Sequence, residues 1–169
     1  MQAVILGPLK SENLKKYFDW RNNYKIWKWC RQNSYLNELH HKEWFDHVSD
    51  DPKIKMFEII DRDENETVGV CGLTDIDLIN RRAEFSIYIG PEYHGQNYGE
   101  LGLRALIHHG FMHFGLNSIF GETFELNKSA AIFERVGMKL EGIRREYYYR
   151  EGRFINAKIY SILRSEWVE

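Results

Sequence analysis

The chain has 169 residues, 43% of them hydrophobic and 15% aromatic, with a formal net charge of −2. That length and apolar content suit one folded domain, 1–169, with a real core, and exclude a disordered chain. Near-neutral charge without a dense Lys/Arg block gives no global reason to bind nucleic acid, so any anion site must be local.

In chain order, AVIL (3–6) reads as a first strand stopped by Gly7-Pro8. A helix follows with Ser11 as its N-cap and Leu14, Tyr17 and Phe18 on one face. A second helix is expected over 40–50, with Trp44, Phe45 and Val48 as its apolar stripe. Strands are expected at 54–60 and 67–76 around the polar turn DRDENE, and again at 82–89. The period then changes. Leu103, Leu106, Ile107, Gly110, Phe111 and Phe114 recur at helical spacing and predict about four turns of amphipathic helix. A strand at 117–125, a short helix at 128–137 ended by Gly137, and a strand pair over 138–163 turning at Glu151-Gly152 complete the chain. The order implies a mixed α/β sheet flanked by helices, with its pairing broken near 85–89 and 120–125.

No apolar run approaches the roughly 20 residues of a membrane span. The opening MQAVILGPLK lacks the charged start and apolar core of a secretory signal. Two distant cysteines, Cys30 and Cys71, make no disulfide framework, and a reduced cytoplasmic setting is expected.

The segment GPEYHGQNYGELGLRALIHHGF (90–111) joins a strand to the long helix through Gly95 and Gly99. A helix N-terminus offers unpaired N–H groups and the positive end of the dipole, which favour an anion. The spacing is neither that of a dinucleotide fold nor that of a P-loop. Taken alone, the glycines are more simply explained by a plain turn, since most strand-to-helix turns contain one.

Read together with LNKSAAIFERVGMKLEGIRREYYYREGRF further on, the segment resembles the GNAT superfamily of N-acetyltransferases, particularly its RimJ/RimL-like branch. The resemblance spans nearly the whole chain and is strongest over 67–163. It implies a mostly antiparallel sheet splayed between two parallel strands, helices on both faces, and acetyl-CoA as co-substrate. The pantetheine would lie along the backbone of Ile87, Tyr88 and Ile89, and the pyrophosphate on the loop formed by His94, Gly95, Gln96, Asn97, Tyr98, Gly99 and Glu100. Asn127 matches an asparagine that contacts the cofactor arm. Two positions depart from the family pattern: His94 stands where Arg or Gln is usual, and Asn97 where glycine is usual. Asn tolerates left-handed backbone best among the non-glycine residues, so the loop keeps its shape.

Transfer to an amine needs a neutral nucleophile, a donor to the thioester oxygen and a proton for the departing thiolate. The tyrosine that many members use as the acid is Phe133 here. Ser129 is the nearby residue expected to orient the thiol, and a thiol of pKa near 8.5 is a fair leaving group. Glu84 is the first choice of base, with a plain surface ion pair to Arg81 or Arg82 as its alternative. Trp20, Arg21, His41 and Tyr149 are the expected acceptor-facing residues, with core packing as the alternative for the aromatic ones. His108, His109 and His113 share one helix, but without His-Glu-x-x-His or a third ligand, no metal is expected.

The expected acceptors are a nucleotide-linked amino sugar, a polyamine and a protein N-terminus, in that order. A CoA-binding module without catalysis is the competing class, and a Rossmann-type nucleotide binder a weaker one. A monomer or homodimer is expected, with neither nucleic acid nor membrane as partner.

Overall fold

The computed structural model describes residues 3–32 and 34–168. Met1, Gln2, Asn33 and Glu169 lie outside the described residues. Seven strands form one sheet: β1 (Val4–Pro8), β2 (Lys55–Asp61), β3 (Glu66–Asp77), β4 (Arg82–Ile89), β5 (Ser118–Phe124), β6 (Lys139–Arg150) and β7 (Arg153–Leu163). Their order is β1-β2-β3-β4-β5-β7-β6, and every neighbouring pair is antiparallel except β4 and β5. The helices are α1 (Leu14–Asn22), α2 (Tyr24–Trp27), α3 (Glu38–Asp50), α4 (Tyr98–His113) and α5 (Ala131–Val136). None is long and apolar enough to cross a membrane.

Helices cover both faces of the sheet, which explains why β3 is buried without a break from Thr67 to Leu73. On one face α4 buries Leu103, Leu106, Ile107 and Phe111 against Ile59, Leu73 and Ile119. Each such side chain contributes roughly 1.5–3 kcal/mol by leaving water. On the other face Tyr17 and Trp20 of α1 and Ile26 of α2 pack on Val70 and Tyr88. The strand period of two divides β4 accordingly: Phe85, Ile87 and Ile89 face α4, while Tyr88 faces α1.

The parallel pairing of β4 with β5 is short. Arg82, Ala83 and Glu84 register with Ser118, Ile119 and Phe120, and there the pairing ends. A Cβ added to Gly121 would come within 2.2 Å of the Phe85 ring, so that ring lies directly on the glycine where the strands part. The break falls in the predicted place.

Three local expectations are corrected. Ser11 opens a single 3-10 turn, Ser11–Asn13, and the α-helix starts only at Leu14. The short helix α2 was not foreseen; Asn23 caps it by accepting the Lys25 N–H at 3.0 Å. Strand β6 carries irregularities at Leu140–Gly142 and Arg144–Tyr148, the second holding Glu146 at φ 50°.

Candidate active site

A cleft of about 760 Å³ opens where β4 and β5 diverge. Its floor is the edge of β4 from Phe85 to Ile89, which beyond Glu84 has no partner in β5. Ile87, Tyr88 and Ile89 line it.

One rim is the loop into α4. Gly95 takes φ +82° with nothing within 4 Å of a would-be Cβ, and Asn97 takes φ 64°, the left-handed conformation expected of it. The helix makes its first bond from the Leu101 N–H to the Asn97 carbonyl at 3.2 Å. The amides of Tyr98, Gly99 and Glu100 therefore precede the i→i−4 ladder at the positive end of a 16-residue helix. This backbone arrangement suits a diphosphate.

The side chains of the loop are turned to other work. His94 Nε2 lies 2.9 Å from the Ile89 carbonyl, Gln96 donates to the Glu92 carbonyl at 3.2 Å, and Tyr98 is buried, its hydroxyl 2.5 Å from Asp61. Glu100 accepts from Arg135 at 2.8 Å and from Arg104 at 3.4 Å; these bonds hold its carboxyl below the usual range.

The opposite rim is the start of the short helix. Asn127 Oδ1 accepts the Ser129 N–H at 3.0 Å, and its Nδ2 donates to Thr123 Oγ1 at 3.2 Å. The asparagine therefore serves as the cap that sets this rim. Ser129 is exposed and lines the cleft. Phe133, which the resemblance sets at the position of the usual acid, packs edge-on to Phe85 and Tyr160.

The third wall comes from α1, α2 and the segment after them. Arg31 reaches Glu84, Nη1 to Oε1 at 2.9 Å, with side-chain exposures of 49% and 9%. Glu84 is thus paired, though with neither Arg81 nor Arg82. Arg82 pairs instead with Asp77 at 3.4 Å, and Arg81 donates to the Gly115 carbonyl. Glu122 of β5 lines the cleft and accepts from the Tyr148 hydroxyl and from Arg144 at 2.9 Å. Burial, then the bond to Glu122, pushes the Tyr148 phenol up to about 12. Arg31, Glu122 and Tyr148 were missed by sequence reasoning, because partners 53 and 26 positions apart leave no local pattern.

Of the four acceptor-facing expectations, Arg21 alone lines the cleft. Trp20 is 5% exposed and donates to the Glu92 carboxylate at 2.9 Å, with Gly90 against its ring. Its place on the inner face of α1, one turn from Tyr17, makes it a support of the loop entrance. His41 is 4% exposed and stacked on Trp44 at 5.2 Å, packed under α1. Tyr149 is exposed beside Phe154 in a separate hollow of about 420 Å³. Arg144 and Tyr148 both bond Glu122, so the even residues of β6 face β5 here and Tyr149 turns away. Among the described residues no group of three or more His, Cys, Asp or Glu could hold a metal ion.

Comparison with known proteins follows this geometry. The chain matches the acetyltransferase (GNAT) domain family over residues 3–139. It is 26% identical to spermidine N(1)-acetyltransferase of Escherichia coli K12 over 156 residues, covering 92% of this chain and 83% of that one. It is 30% identical over 112 residues to the N-acetyltransferase p20 of Bacillus licheniformis, a match to 66% of this chain and 63% of the relative, just under two thirds of its length. The crystal structure of a spermidine N-acetyltransferase from Vibrio cholerae in complex with CoA and spermine aligns with a TM-score of 0.90 over 96% of both chains. At 24% identity that likeness is one of fold.

Proposed function

The chain belongs to the GNAT acetyltransferase family, an acetyl-CoA-dependent N-acetyltransferase by that membership, and we propose that its acceptor is the primary amine of a small molecule, attacked directly in a ternary complex. The observation that carries this reading is the parting of β4 from β5 directly beside the left-handed loop of α4, which gives one cleft a thioester edge and a phosphate cradle.

In the proposed step the amine nitrogen bonds to the thioester carbon and the carbon–sulfur bond breaks. Acetylated amine and CoA thiolate leave, and the surplus ammonium proton passes to the protein or to solvent. At pH 7 only about 0.1% of an amine of pKa near 10 is neutral, so a proton acceptor is required. Glu122 is the carboxylate that lines the cleft, and we assign it that role through water. Glu84, buried and held by Arg31, is assigned to position the wall. Ser129 lines the cleft and is assigned to orient the thiol, and with Phe133 at the expected acid position the thiolate is proposed to take its proton from solvent.

The glycine loop and the EGIRRE strand support the RimJ/RimL-like branch. The similarity to spermidine acetyltransferases favours a polyamine within the small-amine class, and an amino sugar on a nucleotide is the alternative small amine. A protein N-terminus is the third choice. Free Cys30 and Cys71 fit a cytoplasmic location. The test is thiol release from acetyl-CoA against polyamines, nucleotide-linked amino sugars, aminoglycosides and N-terminal peptides. Release with one small amine supports the reading. Release only with peptides, or none while acetyl-CoA still raises the melting temperature, would overturn the small-molecule acceptor.

A further inference from the structure

We infer that the acceptor carries an anionic phosphate group, seated on Arg21 and Lys25 at the α1–α2 wall of the cleft. The inference rests on the acetyltransferase reading above and narrows its substrate class.

The charges on this wall are the starting point. Arg31 is neutralised by Glu84, and Glu122 by Arg144. The other acids nearby are engaged as well: Asp19 with Lys15 at 2.8 Å, and Glu151 with the Tyr24 hydroxyl at 2.8 Å. That leaves Arg21 and Lys25, both lining the cleft and neither paired with a carboxylate among the described residues. Arg21 is half-buried and already shaped. Its guanidinium lies over the Tyr88 ring at 5.5 Å, and its Nη2 donates to the Gln32 amide oxygen.

A second observation is independent of charge. Arg21 Nε and Gln32 Nε2 are buried N–H donors with no acceptor among the described residues. Buried donors are rarely left unmade, because each costs the desolvation of a polar group. Reorientation of this pair toward an incoming oxyanion would satisfy both. A polyamine brings the opposite: several positive charges and no acceptor oxygen, set against two uncompensated cations. The wall therefore suits an amine whose own molecule bears phosphate, and planar Arg is the side chain best matched to that group.

Calorimetric titration of the CoA-saturated protein with inorganic pyrophosphate tests the subsite while CoA fills the loop. Binding is expected, weakened about tenfold, the factor that 1.4 kcal/mol makes in an equilibrium, by Arg21→Gln. Lys25 is exposed, so Lys25→Glu tests the same charge without risk to folding, and it is expected to weaken binding too. Turnover then separates an acceptor phosphate from a free anion. Glucosamine 1-phosphate should exceed glucosamine in kcat/KM at low salt, the advantage shrinking with ionic strength and in both variants. Absent pyrophosphate binding, binding indifferent to both variants, tighter binding of spermidine, or equal turnover of the matched sugars would each overturn the inference. Failure of CoA itself to bind would instead overturn the acetyltransferase reading on which it rests.

Discussion

Replacing Glu84 by Gln separates the two roles a carboxylate beside the cleft can have. If Glu84 were the base, its loss would remove proton transfer, worth about 10²–10⁴ in rate, whatever happens at Arg31. If it holds Arg31, the effect is that of one charge-assisted bond. The 2.9 Å contact has one partner nearly buried and the other 49% exposed. A bond to a charged group contributes roughly 1.5–3 kcal/mol, and exposure of the guanidinium reduces this to about 1–2. Glu84→Gln and Arg31→Gln should therefore each lower kcat/KM by about 5- to 30-fold at 1.4 kcal/mol per decade. The double variant should be little worse than either single one, because both remove the same pair. The assay is thiol release at saturating acetyl-CoA across pH 6–9, with the acidic limb retained in Glu84→Gln. A fall of more than a hundredfold in Glu84→Gln alone, with that limb lost and Arg31→Gln near wild type, would refute the positioning role.

Tyr98→Phe removes the 2.5 Å bond to Asp61, which among the described residues keeps the amides of Asp63 and Glu64. The loss of about 1–2 kcal/mol should lower the melting temperature by several degrees and weaken CoA binding, since Tyr98 opens α4; an unchanged melting curve would contradict this. Gly121→Ala drives a methyl into the Phe85 ring at 2.2 Å. Overpacking of about 1–3 kcal/mol should follow, and Phe85→Leu should restore much of it, as read by urea denaturation. Burial, then the nearby Arg21 charge, holds the His41 imidazole below its ordinary 6.5, so the unfolded chain binds the extra proton first. Its contribution to stability is complete above pH 6.5 and is lost as pH falls through the lowered value. The melting temperature should drop between pH 7.5 and 5, and drop less in His41→Phe.

Much of the fold follows from short-range pattern. The 3.6 period from Leu103 to Phe111 places every one of those apolar residues in the core, because a long helix on a sheet has a single buried stripe. Asn97 at φ 64° follows from local steric preference. The failures share a different cause. Ser11 does not cap α1, because the chain turns once more before Leu14 and Asn13 donates instead to the buried Glu58 at 2.6 Å. Tyr149 yields to Tyr148 because the even residues of β6 face Glu122, a partner on another strand that no local pattern in the sequence announces.

The site divides along the same line, and β4 explains why. Its odd residues Phe85, Ile87 and Ile89 anchor it to α4, while Glu84 and Tyr88 meet the segment from α1 to Arg31. The cofactor side is therefore built of backbone geometry and contiguous sequence, which a motif records. The acceptor side is assembled from side chains that meet only through the sheet, and a motif cannot record them. The two sides are still mechanically joined. Trp20 lies against Gly90 and donates to Glu92, at the entrance of the loop proposed to cradle the diphosphate. A change in α1 that tunes the acceptor wall therefore also bears on the cradle. Trp20→Phe, which keeps the ring but loses the indole N–H, should raise the KM of acetyl-CoA as well as that of the amine. A change confined to the amine would mean that the two walls are independent.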